Sequence, residues 1–212
     1  MASNEIKNLL KIESKNPDQS IIENAVAVIQ RGGVIAFPTD TGYALGCDLY
    51  FKKSINRICR MKGRDPNSPL SFICSDLTSL SQYAVVGNNA YQAMRKLLPG
   101  PYTFVLPATR LVPKLLVSSR STVGIRIPDH NITQALVNSL RHPIIGASCS
   151  NSEGVAFESP SDIVNCFGKQ IDLILSAGKV SSDPSSVIDF TSSEPRVIRE
   201  GKGDLSALNI KK

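Results

Sequence analysis

The sequence predicts a single α/β domain. Three observations carry that expectation. Short apolar runs of strand length alternate with stretches whose apolar residues recur at helical spacing. The alternation continues along nearly the whole chain, as in α/β folds and not in folds that segregate helices from strands. The 212 residues contain no internal repeat, low-complexity tract or linker at which the chain would divide. A chain of this length buries roughly 70% of its unfolded surface, so it needs neither disulfides nor metals to fold.

In order along the chain, residues 1–18 read as a polar arm with one short helix around Ile6–Ile12. Ser20, with Glu23 three residues later, forms a capping box before an amphipathic helix carrying Ile21, Ile22, Ala25, Val28 and Ile29. Gly32-Gly33 ends that helix. The continuous apolar run Val34-Ile35-Ala36-Phe37 reads as a strand buried on both faces, stopped by Pro38. Helices are expected over Lys52–Met61, Asn89–Leu97, Ile132–Leu140 and Ser161–Phe167. Strands are expected over Leu70–Cys74, Tyr102–Leu106, Thr122–Ile127, Ile144–Ser148, Asp172–Leu175, Ser186–Phe190 and Arg196–Arg199. The domain proper spans 19–204, and residues 205–212 form a short basic tail.

Composition excludes several classes. No apolar run approaches the ~18 residues of a membrane span. The N-terminus lacks the apolar core and small-residue cleavage site of a signal peptide. Cys47, Cys59, Cys74, Cys149 and Cys166 are odd in number, widely spaced and free of any CxxC pair, against a disulfide framework or a zinc ribbon. Buried, reduced thiols in a cytoplasmic protein are expected. Two histidines are too few for a His-rich metal site. The 24 Lys+Arg outnumber the 18 Asp+Glu, and the resulting net charge of +6 hints at an anionic partner, nucleotide or nucleic acid.

Chemistry concentrates at strand ends. Phe37-Pro38-Thr39-Asp40-Thr41-Gly42-Tyr43 leaves a buried strand with hydroxyl, carboxylate and glycine together, as a ligand loop or as a turn. Lys62-Gly63-Arg64, before the proline-bearing loop with Ser68, is either a cationic clamp for phosphate or a helix end opposing its dipole. Leu98-Pro99-Gly100-Pro101 reads as a stiff structural turn. Arg126 sits inside an apolar strand, where an unpaired charge is costly; it needs a structural carboxylate or an anionic ligand. Ser148, Ser150, Ser186 and Arg199 close further strands with polar groups. There is no GxxxxGK[ST], no GxGxxG after an initial strand, no GxSxG and no HExxH. What remains is a site that positions a nucleotide electrostatically.

Six motifs in order then resemble the YrdC-like family. They are Gly33-Val34-Ile35-Ala36-Phe37-Pro38-Thr39-Asp40-Thr41-Gly42-Tyr43-Ala44-Leu45-Gly46, Lys62-Gly63-Arg64, Pro69-Leu70, Pro99-Gly100-Pro101-Tyr102-Thr103, Gly124-Ile125-Arg126-Ile127-Pro128 and Ile198-Arg199-Glu200-Gly201. The resemblance covers roughly residues 20 to 203. It implies a twisted, open mixed sheet flanked by helices, with a basic concave surface. It also implies a threonylcarbamoyl-adenylate synthase joining ATP, bicarbonate and L-threonine in support of tRNA modification, with Mg²⁺ bridging phosphate oxygens and no protein metal ligands.

On that resemblance Thr39, Arg126, Ser148 and Ser186 meet the amino-acid substrate. Lys62 and Arg64 handle phosphates and bicarbonate. Ser68, Thr122, Ser150 and Arg199 contact the nucleotide. Two positions depart from the family pattern. Ile73 stands where the family's PLxxH stretch has a histidine, and an aliphatic side chain cannot hydrogen-bond a threonine. The SxN motif reads Ser148-Cys149-Ser150, with Asn151 one place late. Both place the chain nearest the YciO branch and leave an alternative, a double-stranded RNA or tRNA binder without efficient synthesis.

Overall fold

The computed structural model describes residues 8–63, 70–118, 121–151, 153–192 and 194–208. Its elements are β1 (Leu9–Lys11), α1 (Gln19–Gln30), β2 (Ile35–Thr39), β3 (Gly42–Asp48), α2 (Lys52–Met61), β4 (Ser71–Ile73), α3 (Leu77–Ser81), α4 (Asn88–Leu97), β5 (Tyr102–Pro107), β6 (Thr122–Arg126), α5 (Asn131–Leu140), β7 (Ile144–Ser148), α6 (Pro160–Phe167), β8 (Leu173–Ser176), β9 (Ser186–Asp189) and β10 (Arg196–Arg199). All ten strands join one open mixed sheet, in the order β1-β8-β2-β3-β7-β4-β6-β5-β9-β10. No described helix is long and apolar enough to cross a membrane.

Several local expectations change. The segment read as a helix around Ile6–Ile12 is, where described, a strand: β1 runs parallel to β8, with Leu9 opposite Ile174. Asn8 holds its start, donating from Nδ2 to the Ile171 carbonyl at 2.6 Å. A free sheet edge offers backbone partners that an isolated turn of helix lacks, so tertiary pairing overrides a weak local preference. The cap of α1 is Asp18, not Ser20; its Oδ1 accepts from the Ser20 N–H at 2.8 Å and from Ser20 Oγ at 2.7 Å.

Pro38 does not stop β2, which continues to Thr39 opposite Gly42. On its other side β2 pairs with β8 only at Ile35 and Ala36, so the missing N–H of Pro38 falls beyond that ladder. The returning strand, β3, is absent from the sequence-based expectation because it is buried throughout and shows no alternation. Gly46 is obligatory there: a Cβ would stand 2.6 Å from Phe37 and 2.7 Å from Ile144. Cys47, Cys59, Cys74 and Cys149 are buried as expected, but Cys166 is exposed on α6.

Strand alternation sends side chains to two faces. On one face, α2, α3, α4 and α6 cover the sheet over a core containing Leu45, Phe72, Phe104, Ile125 and Ile188. On the other, α1 and α5 pack against each other and against β2, with Ile35, Phe37, Ala44, Ile73 and Ile144 beneath. These two helices cover only half of their face. Over β4, β6, β5 and β9 that face stays open, and its inward positions line a cavity.

Candidate functional site

The open half-face is floored by residues that keep it hollow. Ser71 on β4 lies opposite Gly124 on β6 and Gly146 on β7. Neither glycine projects a side chain, so a cavity of about 220 Å³ remains, walled by Ile73, Thr103, Thr122, Arg126, Ser148 and Arg199 among others. A second, larger cavity of about 810 Å³ adjoins it, sharing Ser148 and Arg199 and bounded by Thr41, Tyr43, Ser150 and Lys179.

Arg126 finds the partner its position demanded. Its guanidinium is ion-paired with Asp40 of the β2–β3 turn, and both side chains are only 10% exposed. Asp40 also accepts from the Asp129 N–H at 3.2 Å, and its carbonyl receives Lys202 Nζ at 2.7 Å. Burial pushes the pKa of Arg126 below the ordinary arginine value, the Asp40 carboxylate opposes this, and nearby Arg199 adds to it. The Arg126 Nε–H is buried without a partner among the described residues. Arg199 turns its fork onto the Ser185 carbonyl, at 3.0 Å from Nε and 2.8 Å from Nη2.

Lys62, just past α2, is buried. Its Nζ donates to the Ser150 carbonyl at 3.1 Å and to the Ser150 hydroxyl. This ties the end of α2 to the wall of the larger cavity. Asn151 folds the following loop: its Oδ1 accepts from the N–H groups of Glu153 at 3.0 Å and Val155 at 2.9 Å. Tyr43 anchors the opposite wall, donating to the Gly178 carbonyl at 2.8 Å and accepting from the Ala177 N–H at 3.0 Å. Among the described residues no group of three or more His, Cys, Asp or Glu side chains is placed to hold a metal ion.

Of the residues singled out in the sequence, Thr122, Arg126, Ser148 and Arg199 line the smaller cavity, and Ser148, Ser150 and Arg199 the larger one. Lys62 joins them through Ser150. Thr39 is buried at the end of β2, where its hydroxyl donates to the Gly42 carbonyl at 2.7 Å and holds the turn. Ser186 lies on the other face of β9, donating to the Gly203 carbonyl at 2.7 Å and accepting from the Gly201 N–H at 3.0 Å. Its neighbour Ser185 faces the cavity instead, paired with Thr103 at 2.8 Å. Arg64 and Ser68 lie outside the described residues. Sequence reasoning gave Ser71, Thr103 and Ser185 no site role of their own, although Thr103 closes one of the six motifs and Ser185 adjoins Ser186. Their signal was there in part, since Thr103 and Val105 share the period-2 face of β5.

A family model described as "Telomere recombination", for Sua5, YciO and YrdC, matches residues 27–201. The chain is 41% identical to YciO of Escherichia coli over 196 residues, 92% of this chain and 95% of that protein. The crystal structure of E. coli YciO superposes with a TM-score of 0.90, covering 94% of this chain and 98% of the other. A threonylcarbamoyl-AMP synthase of Thiobacillus denitrificans is 31% identical over 165 residues, 77% of this chain and 88% of that one. Sua5 of Pyrococcus abyssi, solved in complex with L-threonine, superposes with a TM-score of 0.85 at 28% identity; 91% of this chain matches 57% of that one.

Proposed function

The chain belongs to the Sua5/YciO/YrdC family, and from that premise we propose that it is an ATP-dependent synthase of carbamoyl-amino-acid adenylates. Its substrates would be ATP, bicarbonate and a small amino acid, threonine being the one named for its synthase relatives. The amine and bicarbonate combine to a carbamate with loss of water. A carbamate oxygen then attacks the α-phosphorus, and the bond to pyrophosphate breaks. No protein nucleophile is needed, so the protein's work is to position the reactants and balance their charge.

The observation that supports this reading is the set of three cations, Lys62, Arg126 and Arg199, around two joined cavities of unequal size. The larger has room for a nucleotide, the smaller for an amino acid. Arg126, ion-paired with Asp40, lines the smaller cavity and is the cation a carboxylate would meet there. Lys62, seated on Ser150, is a point charge at the edge of the nucleotide space. Mg²⁺ enters as the counter-ion of ATP and thus as part of the substrate.

The test is pyrophosphate release by the full-length protein with ATP, Mg²⁺, bicarbonate and each of a set of small amino acids. We expect release dependent on bicarbonate and amino acid, reduced at least about 100-fold by Lys62→Ala, as for loss of one electrostatic contact in a water-poor site. Background release with every amino acid, or full activity in the Lys62→Ala protein, sinks the reading.

A further inference from the structure

The floor of the smaller cavity is a row of residues on neighbouring strands. Ser71 on β4 is flanked by Gly146 on β7 and by Gly124 on β6. With a glycine on each side, the serine hydroxyl is the polar side-chain group that a ligand resting on this row meets. It leans towards β6: a Cβ on Gly124 would stand 3.2 Å from Ser71 Oγ. The row continues in Val105, beside Gly124, and two residues further along β4 Ile73 stands beside Arg126. Leu70 and Val187 add more apolar surface.

The other hydroxyls of the wall are engaged or lie at the rim. Thr103 pairs with Ser185 at 2.8 Å, Ser185 Oγ also accepts from Arg199 Nη2 at 3.1 Å, and Thr122 pairs with Ser118 at 2.6 Å. Ser148 is exposed at the end of β7, where the two cavities share a boundary. Ser71 is half-buried, and its hydroxyl has no hydrogen-bond partner among the described residues.

A serine hydroxyl both donates and accepts. Covered by a methyl group, it loses its water and gains nothing, which costs more than leaving the cavity wet. Covered by another hydroxyl, it keeps a hydrogen bond. Two residues of strand separate the row of Ser71 from the row of Arg126, roughly 7 Å. An α-amino acid spans such a gap when its carboxylate meets the cation and its side chain reaches the floor.

We infer that Ser71 is the residue that reads the side chain of the amino acid, and that it selects a hydroxyl on the β-carbon. Ile73 cannot make that contact, so the task falls to the position two residues earlier on the same face of β4. This rests on the synthase reading above and deepens it, because it names the specificity-determining residue and the class of side chain. A site built to bond a hydroxyl rejects the analogue lacking it, since its own polar group is then stranded.

The experiment measures threonine and valine binding to the full-length protein by calorimetry, with ATP and Mg²⁺ present and bicarbonate omitted. The two amino acids have nearly the same shape, so their ratio isolates the hydroxyl. Threonine is expected to bind at least about ten-fold more tightly than valine. Ser71→Ala should remove that preference by weakening threonine and leaving valine unchanged. Ser71→Thr, which keeps the hydroxyl, should retain it. A serine with a purely structural role would move both affinities together. Valine bound as tightly as threonine by the unsubstituted protein overturns the inference without any variant. A preference that survives Ser71→Ala overturns it too, and moves the contact to Ser148 or Ser185. If ATP raises the melting temperature but neither amino acid binds, the inference falls while the nucleotide reading stands. If ATP itself has no effect, the synthase reading fails and takes the inference with it.

Discussion

A guanidinium in the middle of an apolar strand forces a question that the sequence can pose and only the fold can answer. Arg126 lies between Ile125 and Ile127, both buried, so its charge must be met from another strand. The partner is Asp40, 86 residues away in sequence. That a partner was required was legible; that it would be Asp40 was not, because the pairing depends on where the fold brings the β2–β3 turn relative to the end of β6, a strand four places away in the sheet. Removing one member of a buried pair leaves the other uncompensated, at a typical cost of about 3 kcal/mol. Asp40→Ala should lower the free energy of unfolding by about that much. Adding Arg126→Met should recover most of the loss, since it removes the stranded charge. Urea titrations with unchanged m-values measure both. An Asp40→Ala protein as stable as the parent, or a double variant no better than the single one, contradicts this account of the pair.

At the scale of elements, sequence reasoning found β2 and β4 to β10, most plainly those with clear ends: β5 after its proline turn, β6 before Pro128, and β7 between α5 and Ser148. Those it missed were defined by neighbours. β1 exists because β8 offers an edge, and β3 because β2 and β7 enclose it. Ser185 and Ser186, at the start of β9, show the same limit. A strand's face follows from a period of two, so a shift of one residue exchanges Ser185 for Ser186. The cavity-facing identity of Ser185 could not be read without the register. The floor glycines are an element-level device too. A Cβ on Gly124 would meet Ser71 Oγ at 3.2 Å and Thr103 Cγ2 at 3.6 Å, which a small rotation of the serine relieves. Gly124→Ala should therefore fold with a melting temperature within about 4 °C of the parent, a shift equivalent to roughly 1 kcal/mol or less. Its methyl group would occupy the cavity, so the amino-acid-dependent pyrophosphate release should fall by at least ten-fold. A Gly124→Ala protein with full activity would show that substrates do not reach this floor.

For the whole molecule, the sheet's two faces carry different loads. One is roofed completely by α2, α3, α4 and α6; the other is half-covered by α1 and α5, and the uncovered half is the site. Alternation of helices and strands foretold the layers, but not that two helices would stop short of four strands. The stability of such a molecule responds to pH through its two histidines, which act in opposite senses. His142 Nε2 lies 3.4 Å from Asp48 Oδ2, at the ends of β7 and β3. Burial disfavours the His142 cation, but Asp48 and the Pro143 carbonyl outweigh it, and the pKa is raised. Burial also disfavours the Asp48 anion, but His142 and the Tyr50 N–H outweigh that, and its pKa is lowered. The pair's contribution is thus complete between about pH 4, the unfolded aspartate value, and about pH 6.5, the unfolded histidine value. It fades as pH rises through the raised value of His142, and on the acid side as pH falls through the lowered value of Asp48. His130 runs the other way. Burial lowers its pKa despite Asp40 and Asp129, so it favours the folded state when neutral and costs stability once pH drops below about 6.5. In the parent the two slopes have opposite signs as pH falls through the histidine range. In His142→Gln only the His130 slope remains, so stability should be nearly flat from pH 8 to pH 7 and fall as pH drops through about 6.5. The difference from the parent should be roughly 0.5 kcal/mol, because solvent screens a partly exposed pair. Urea midpoints at pH 6, 7 and 8 decide it: parallel pH profiles for the two proteins would mean that His142 and Asp48 do not interact in solution.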